Sequence, residues 1–133
     1  MKKRGVIFCI LSAILICVFA GCAMINQPVP SYEQITPEAA KNIMERESGY
    51  VILDVRTEEE FAEGHIKNAI LIPDYEIAEK AESVLNDKKQ LILVYCRSGR
   101  RSKLASEELV KLGYTNVKEF GGIIDWPYEI VTN

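Results

Sequence analysis

Histidine is nearly missing: among 133 residues only His65 carries an imidazole. That excludes a histidine-rich metal centre and any mechanism that needs two imidazoles. Glycine and proline are sparse, at 8 and 5, so collagen-like and low-complexity classes are out. No internal repeat is visible. A basic excess is also lacking. With 16 Lys and Arg against 19 Asp and Glu, the formal charge is −3, which argues against nucleic acid as a partner. Disulfides are excluded too. Cys9, Cys17 and Cys22 fall in or beside the apolar N-terminus, so Cys96 is alone in the remainder of the chain. What is present is an ordinary globular balance, 48% hydrophobic and 26% charged, at a length that fits one domain.

The N-terminus reads as an address. Lys2-Lys3-Arg4 precedes an apolar run from Val6 to Ala20, and Gly21-Cys22 follows. A basic start, an apolar stretch and small residues before a cut describe a secretory signal. Phe19-Ala20-Gly21-Cys22 resembles the lipobox of bacterial lipoproteins, whose cysteine is acylated and becomes the new N-terminus. The expected division is a signal peptide over 1–21, a tether over 22–31 and a domain over 32–133, with Cys22 carrying the lipid. The other reading is an uncleaved anchor over Val6–Ile25, long enough to span a bilayer. Either way the domain lies on the far side of the inner membrane, because the basic residues stay on the cytoplasmic side. Cleavage would remove three basic residues and no acid, leaving a charge of −6. Attachment would then rest on acyl chains and not on a basic patch.

Beyond the Pro28-containing tether, strand and helix signals alternate. Thr36-Pro37-Glu38 is a helix start, with Thr36 as cap and Pro37 at the first helical position. Val51 to Val55 is an apolar run broken by one acid, the pattern of a strand covered on both faces. Thr57 to Glu60 spells a capping box, and Gly64 ends that short helix. Ala69 to Ile72 is a third strand closed by Pro73. Tyr75 to Leu85 has helical spacing, with Ile77, Ala81, Val84 and Leu85 on one side. Leu91 to Tyr95 is the strongest strand signal and runs straight into Cys96. A helix after Ser102 sets Ala105, Leu109 and Leu112 inward and a Glu107–Lys111 pair outward. Val117 to Phe120 is a fifth strand, and Gly121-Gly122 turns into a last short helix with a core Trp126. The expected fold is α/β, a mainly parallel five-stranded sheet with helices on both faces.

One loop concentrates the chemistry. Ligands of open parallel sheets bind outside the carboxyl ends of the strands, and Cys96 sits at such an end. Cys96-Arg97-Ser98-Gly99-Arg100-Arg101 must curl to reach the following helix, and Gly99 permits backbone geometry that a side chain would block. Curled loops at helix starts aim backbone N–H groups at one spot, which favours an anion. Three arginines push the same way, although one of them, Arg100, suits a solvated face. The expectation is a reactive thiolate at neutral pH, set against the alternative of a buried, inert cysteine.

Asp54-Val55-Arg56, Glu60-Phe61, Gly64-His65-Ile66, the loop from Cys96 to Arg101, and Gly121-Gly122 with Trp126 together resemble a single-domain rhodanese, a sulfurtransferase. The likeness runs from about Tyr32 to Val131. It implies that Cys96 accepts a sulfane sulfur from a small anionic donor such as thiosulfate and holds it as a persulfide. A small thiol or a protein then takes the sulfur. It also implies a substrate-binding stretch of Arg97, Ser98, Gly99, Arg100, Arg101 and Ser102. In it the amides from Ser98 to Arg101 stabilise the anion, and Arg97 and Arg101 orient the donor. No metal or organic cofactor is implied.

Similar folds with a Cys-x5-Arg loop act as phosphatases. Here Arg101 closes a Cys-x4-Arg loop, and the position a wider ring would need is Ser102. Phosphatase chemistry is the weaker reading, and loop length alone leaves arsenate reduction open. A non-catalytic binding or sulfur-delivery module remains the alternative to an enzyme. Asp54, in an apolar strand, reads as a structural acceptor for neighbouring backbone or Arg56 rather than as a catalytic acid. Arg56 ends its strand on the rim of Cys96, within reach of a substrate. His65 reads as packed and hydrogen-bonded, and Tyr95 as pointing away from Cys96 by strand alternation.

Overall fold

The computed structural model describes residues 29–132. The signal segment, Cys22 and most of the tether lie outside the described residues. Among the described residues no helix is long and apolar enough to cross a membrane.

Each element starts and stops for a local reason. β1 is short, Glu33–Gln34, and α1 follows at Pro37–Arg46. Thr36 caps α1, its side chain accepting from the Ala39 amide at 3.1 Å. β2 covers Val51–Asp54, and α2 covers Glu58–Glu63 under a complete Thr57–Glu60 capping box. β3 is only Ile70–Leu71, because Pro73 cannot donate to a ladder. A 3-10 turn at Asp74–Glu76 leads into α3, Ile77–Val84. β4, Ile92–Cys96, is buried along its whole length. α4 covers Arg100–Lys111, and β5 covers Val117–Gly122 before a 3-10 turn at Ile123–Asp125.

The five strands are parallel in the order β1-β5-β4-β2-β3. The sheet separates two cores. On one face Leu53, Val94, Cys96, Ile77, Ala81, Ala105 and Leu109 pack under α3 and α4. On the other Ile52, Leu93, Tyr95, Ala40, Phe120 and Trp126 pack under α1. Burying each large aliphatic side chain contributes about 1.5–3 kcal/mol. Alternation along β4 therefore sends Cys96 and Tyr95 to opposite faces. The β4–β5 register slips once. Val94 faces Glu119, yet Cys96 faces Gly122. β5 holds the extra residue of a bulge there, with Gly121 at φ +92°. The bulge re-aims β5 where the Cys96 loop passes.

Three sequence expectations are corrected. The helix after the loop begins at Arg100, not beyond Ser102, because the left-handed Gly99 (φ +100°) already turns the chain into it. Val84 is 48% exposed at the end of α3, while Ile77, Ala81 and Leu85 of the expected stripe are buried. Lys111 pairs with Glu108 at 3.7 Å rather than with Glu107, and the pair is too exposed to contribute much.

Candidate active site

Cys96 ends the central strand, and the chain then curls for three residues before α4. The Gly99 amide donates to Sγ at 3.0 Å. Sγ in turn donates to Ser102 Oγ at 3.3 Å. The loop is clamped from β5. A Cβ on Gly122 would stand 2.0 Å from the Arg97 carbonyl oxygen and 2.5 Å from Ser98 Cα. Only glycine lets the two backbones approach so closely. The Ile124 amide also donates to the Arg97 carbonyl, at 3.2 Å.

Ser102 is fully buried on the first turn of α4. Its oxygen lies 2.6 Å from Glu119 Oε1, 3.0 Å from the Gly99 carbonyl and 3.4 Å from the Gly121 carbonyl. A hydroxyl has one proton, and the nearest acceptor, Glu119 Oε1, takes it. Glu119 Oε1 also accepts from the Gly121 amide at 2.8 Å.

The arginines separate into two kinds. Arg101 makes a two-pronged pair with Glu60, at 2.8 and 2.9 Å. Those hydrogen bonds outweigh burial and, helped by the Thr57 amide, hold the Glu60 carboxyl down at about 2. The same bonds raise the Arg101 guanidinium, and the charge of Cys96 adds to them. Arg101 is thus tied to Glu60 at the start of α2, with the sulfur of Cys96 within its electrostatic reach. Arg97 and Arg100 are exposed and form no ion pair among the described residues.

Asp54 is fully buried and grips Arg56 through both carboxylate oxygens. It also accepts from the Arg56 amide at 2.9 Å. Arg56 spends another N–H on the Gly64 carbonyl at 2.7 Å. Burial alone would lower that guanidinium, but the hydrogen bonds and charge of Asp54 win and raise it. Arg56 is buried, with its fork engaged by Asp54 and the Gly64 carbonyl. His65 stacks on Phe61 at 3.8 Å, and its Nδ1 lies 2.9 Å from the Phe61 carbonyl. Tyr95 on the other face accepts from the Ile66 amide at 3.1 Å. Burial, and then the charge of Asp54, push its phenol up.

Access to the sulfur is narrow, as in the buried alternative that was set against the reactive thiolate. Cys96 is 1% exposed. A groove lined by Met44, Tyr50, Trp126 and Tyr128 lies against α1 and does not include it. Sequence reasoning missed two carboxylates of this site. Glu60 was visible as a helix cap but not as the partner of Arg101. Glu119 carried a usable signal: it is an acid on the inward face of an apolar strand, the same signal that singled out Asp54.

Among the described residues a single cysteine lies under an arginine-closed loop at the carboxyl edge of a parallel sheet, which defines an α/β domain with its candidate site where such sheets bind ligands. The Rhodanese-like domain profile matches residues 36–127. The chain is 40% identical over 73 residues to thiosulfate sulfurtransferase PspE of Escherichia coli, covering 55% of this chain and 70% of that protein. Among solved structures, a rhodanese with anions from E. coli superposes with TM-score 0.60 at 36% identity, over 63% of this chain and 99% of that one. A rhodanese-related protein from Thermoplasma volcanium gives 0.67 at 33%, over 77% and 100%. This chain belongs to the rhodanese-like domain family. Sulfur transfer is the activity that its named relatives carry.

Proposed function

We propose that the protein is a sulfurtransferase that carries sulfur as a persulfide on Cys96. The observation that carries this reading is the Gly99 N–H aimed at Sγ beneath a loop that Arg101 closes. The thiolate attacks the outer sulfur of a donor such as thiosulfate. A new S–S bond forms, the old one breaks, and sulfite leaves with the electron pair. A thiol or protein acceptor then attacks the terminal sulfur, and the S–S pair returns to Cys96. Arg97 and Arg100 are the exposed guanidinium groups for an anionic donor, while the field of Arg101 acts on the sulfur. Thiosulfate followed by cyanide tests the reading. Thiocyanate should form with the wild type and not with Cys96→Ser. Release of phosphate from an aryl phosphate, without thiocyanate, would replace it by phosphatase chemistry.

The near-complete cover over Cys96 favours a second reading, a binding module whose anion cradle docks a partner without turnover. That reading gains if native protein resists both sulfane donors and iodoacetamide. The proposal extends to the N-terminus. The Phe19-Ala20-Gly21-Cys22 pattern supports acylation of Cys22 and attachment of an exported domain to a bacterial membrane. Incorporation of labelled fatty acid, lost in Cys22→Ser, is the expected result.

A further inference from the structure

Glu119 is 2% exposed, and the ion pairs among the described residues are made by other carboxylates. A buried carboxylate without a cation is costly to keep ionised. Its Oε1 takes one hydrogen bond from the Gly121 amide and one from Ser102 Oγ. Ser102 Oγ in turn accepts from Cys96 Sγ. The three groups stand in file, Sγ to Oγ at 3.3 Å and Oγ to Oε1 at 2.6 Å, all buried beneath α4. We propose that Cys96 and Glu119 share a single proton through Ser102, which makes Glu119 the base that unmasks the sulfur. The proposal rests on the sulfur-transfer reading and names the proton acceptor that this reading lacks.

The step balances within the protein. The Sγ proton passes to Ser102 Oγ as the Ser102 proton passes to Glu119 Oε1. A thiol and a carboxylate become a thiolate and a carboxylic acid. Both hydrogen bonds then reverse, so Ser102 donates to the thiolate and Glu119 donates to Ser102. The cluster holds one negative charge before and after, so the buried site never has to accommodate two.

The charges around the file are unevenly placed. Arg101 acts on Cys96 from α4, with Glu60 of α2 and Asp74 of the turn after β3 behind it. The Gly99 amide also points at Sγ. On the Glu119 side stands Tyr32, ahead of β1, whose phenol is pushed up by burial and then by Glu107 of α4 and Glu119. Lys118, the neighbouring cation on β5, is paired with Glu33 of β1. Arg101 and its partner Glu60 thus stand at the sulfur end of the file, and Tyr32 and Glu107 at the other.

The test is the rate at which iodoacetamide alkylates Cys96 as a function of pH, read on the peptide that carries Cys96. Two interacting groups that share a proton titrate in two steps. The wild type should show two steps with a partial plateau, and Glu119→Gln should lose the lower step and show one. Identical single-step profiles for both would overturn the proposal. Should Glu119→Gln fail to fold, the Cys96→Ser protein gives a second readout. The Glu119 carboxyl carbon, followed by NMR, should titrate in two steps in the wild type and in one after Cys96→Ser. An unchanged Glu119 titration would equally overturn it. Neither readout uses a sulfur donor. Coincident profiles in a protein that still forms a persulfide would remove the shared proton alone, and two-step profiles without persulfide would remove sulfur transfer alone.

Discussion

Glu60→Gln isolates the pair that ties α2 to the first turn of α4. Glutamine preserves the capping box, because its side-chain oxygen still accepts from the Thr57 amide, so what is lost is the charge opposite Arg101 and the Oε1 acceptor of its second hydrogen bond. A carboxyl held at about 2 instead of the ordinary 4.5 corresponds to a ceiling of about 3 kcal/mol, at about 1.4 kcal/mol per pH unit. Both side chains are about one-fifth exposed, and water at that rim reduces the figure to about 1–2 kcal/mol. The sign follows from a lowered folded-state value. The stabilisation is complete above pH 4.5 and is lost as pH falls through about 2. Urea unfolding should therefore separate wild type and variant by about 1–2 kcal/mol at pH 7. The gap should close by about pH 2 and narrow in high salt. A gap below about 0.5 kcal/mol at pH 7, or one that is equally large at pH 2, would refute the argument.

Gly122→Ala should destabilise the fold by about 3 kcal/mol and abolish persulfide formation. The new Cβ meets backbone at 2.0 Å, which cannot yield like a flexible side chain; wild-type stability in urea would contradict the close approach. Asp54→Ala leaves Arg56 buried and uncompensated and should cost about 3–5 kcal/mol in the same assay. A catalytic acid would instead lower turnover in a protein of unchanged stability.

Much of the fold was legible because local signals agreed with one another. Thr36-Pro37 and Thr57-Glu60 fixed two helix starts by cap chemistry that needs no tertiary context. The apolar runs at Val51 and Leu91 became the paired central strands β2 and β4, where continuous burial leaves no polar alternation to misread. The position of Cys96 at a strand end followed from that run. Illegible features were those decided by contacts distant in sequence. Arg101 reaches Glu60 across 41 residues, and the β5 bulge exists only relative to β4. Gly121-Gly122 was readable as a turn. That Gly122 lies against the Arg97 backbone was not, because nothing in a pair of glycines says which chain passes beside it.

Sulfur transfer requires Cys96 to hold a second sulfur. The most direct measurement is the intact mass of purified protein after thiosulfate. A gain of one sulfur atom is expected, removed by cyanide and absent from Cys96→Ser. Unchanged mass with every sulfane donor tried, in a protein whose Cys96 is shown to be reduced, would contradict it.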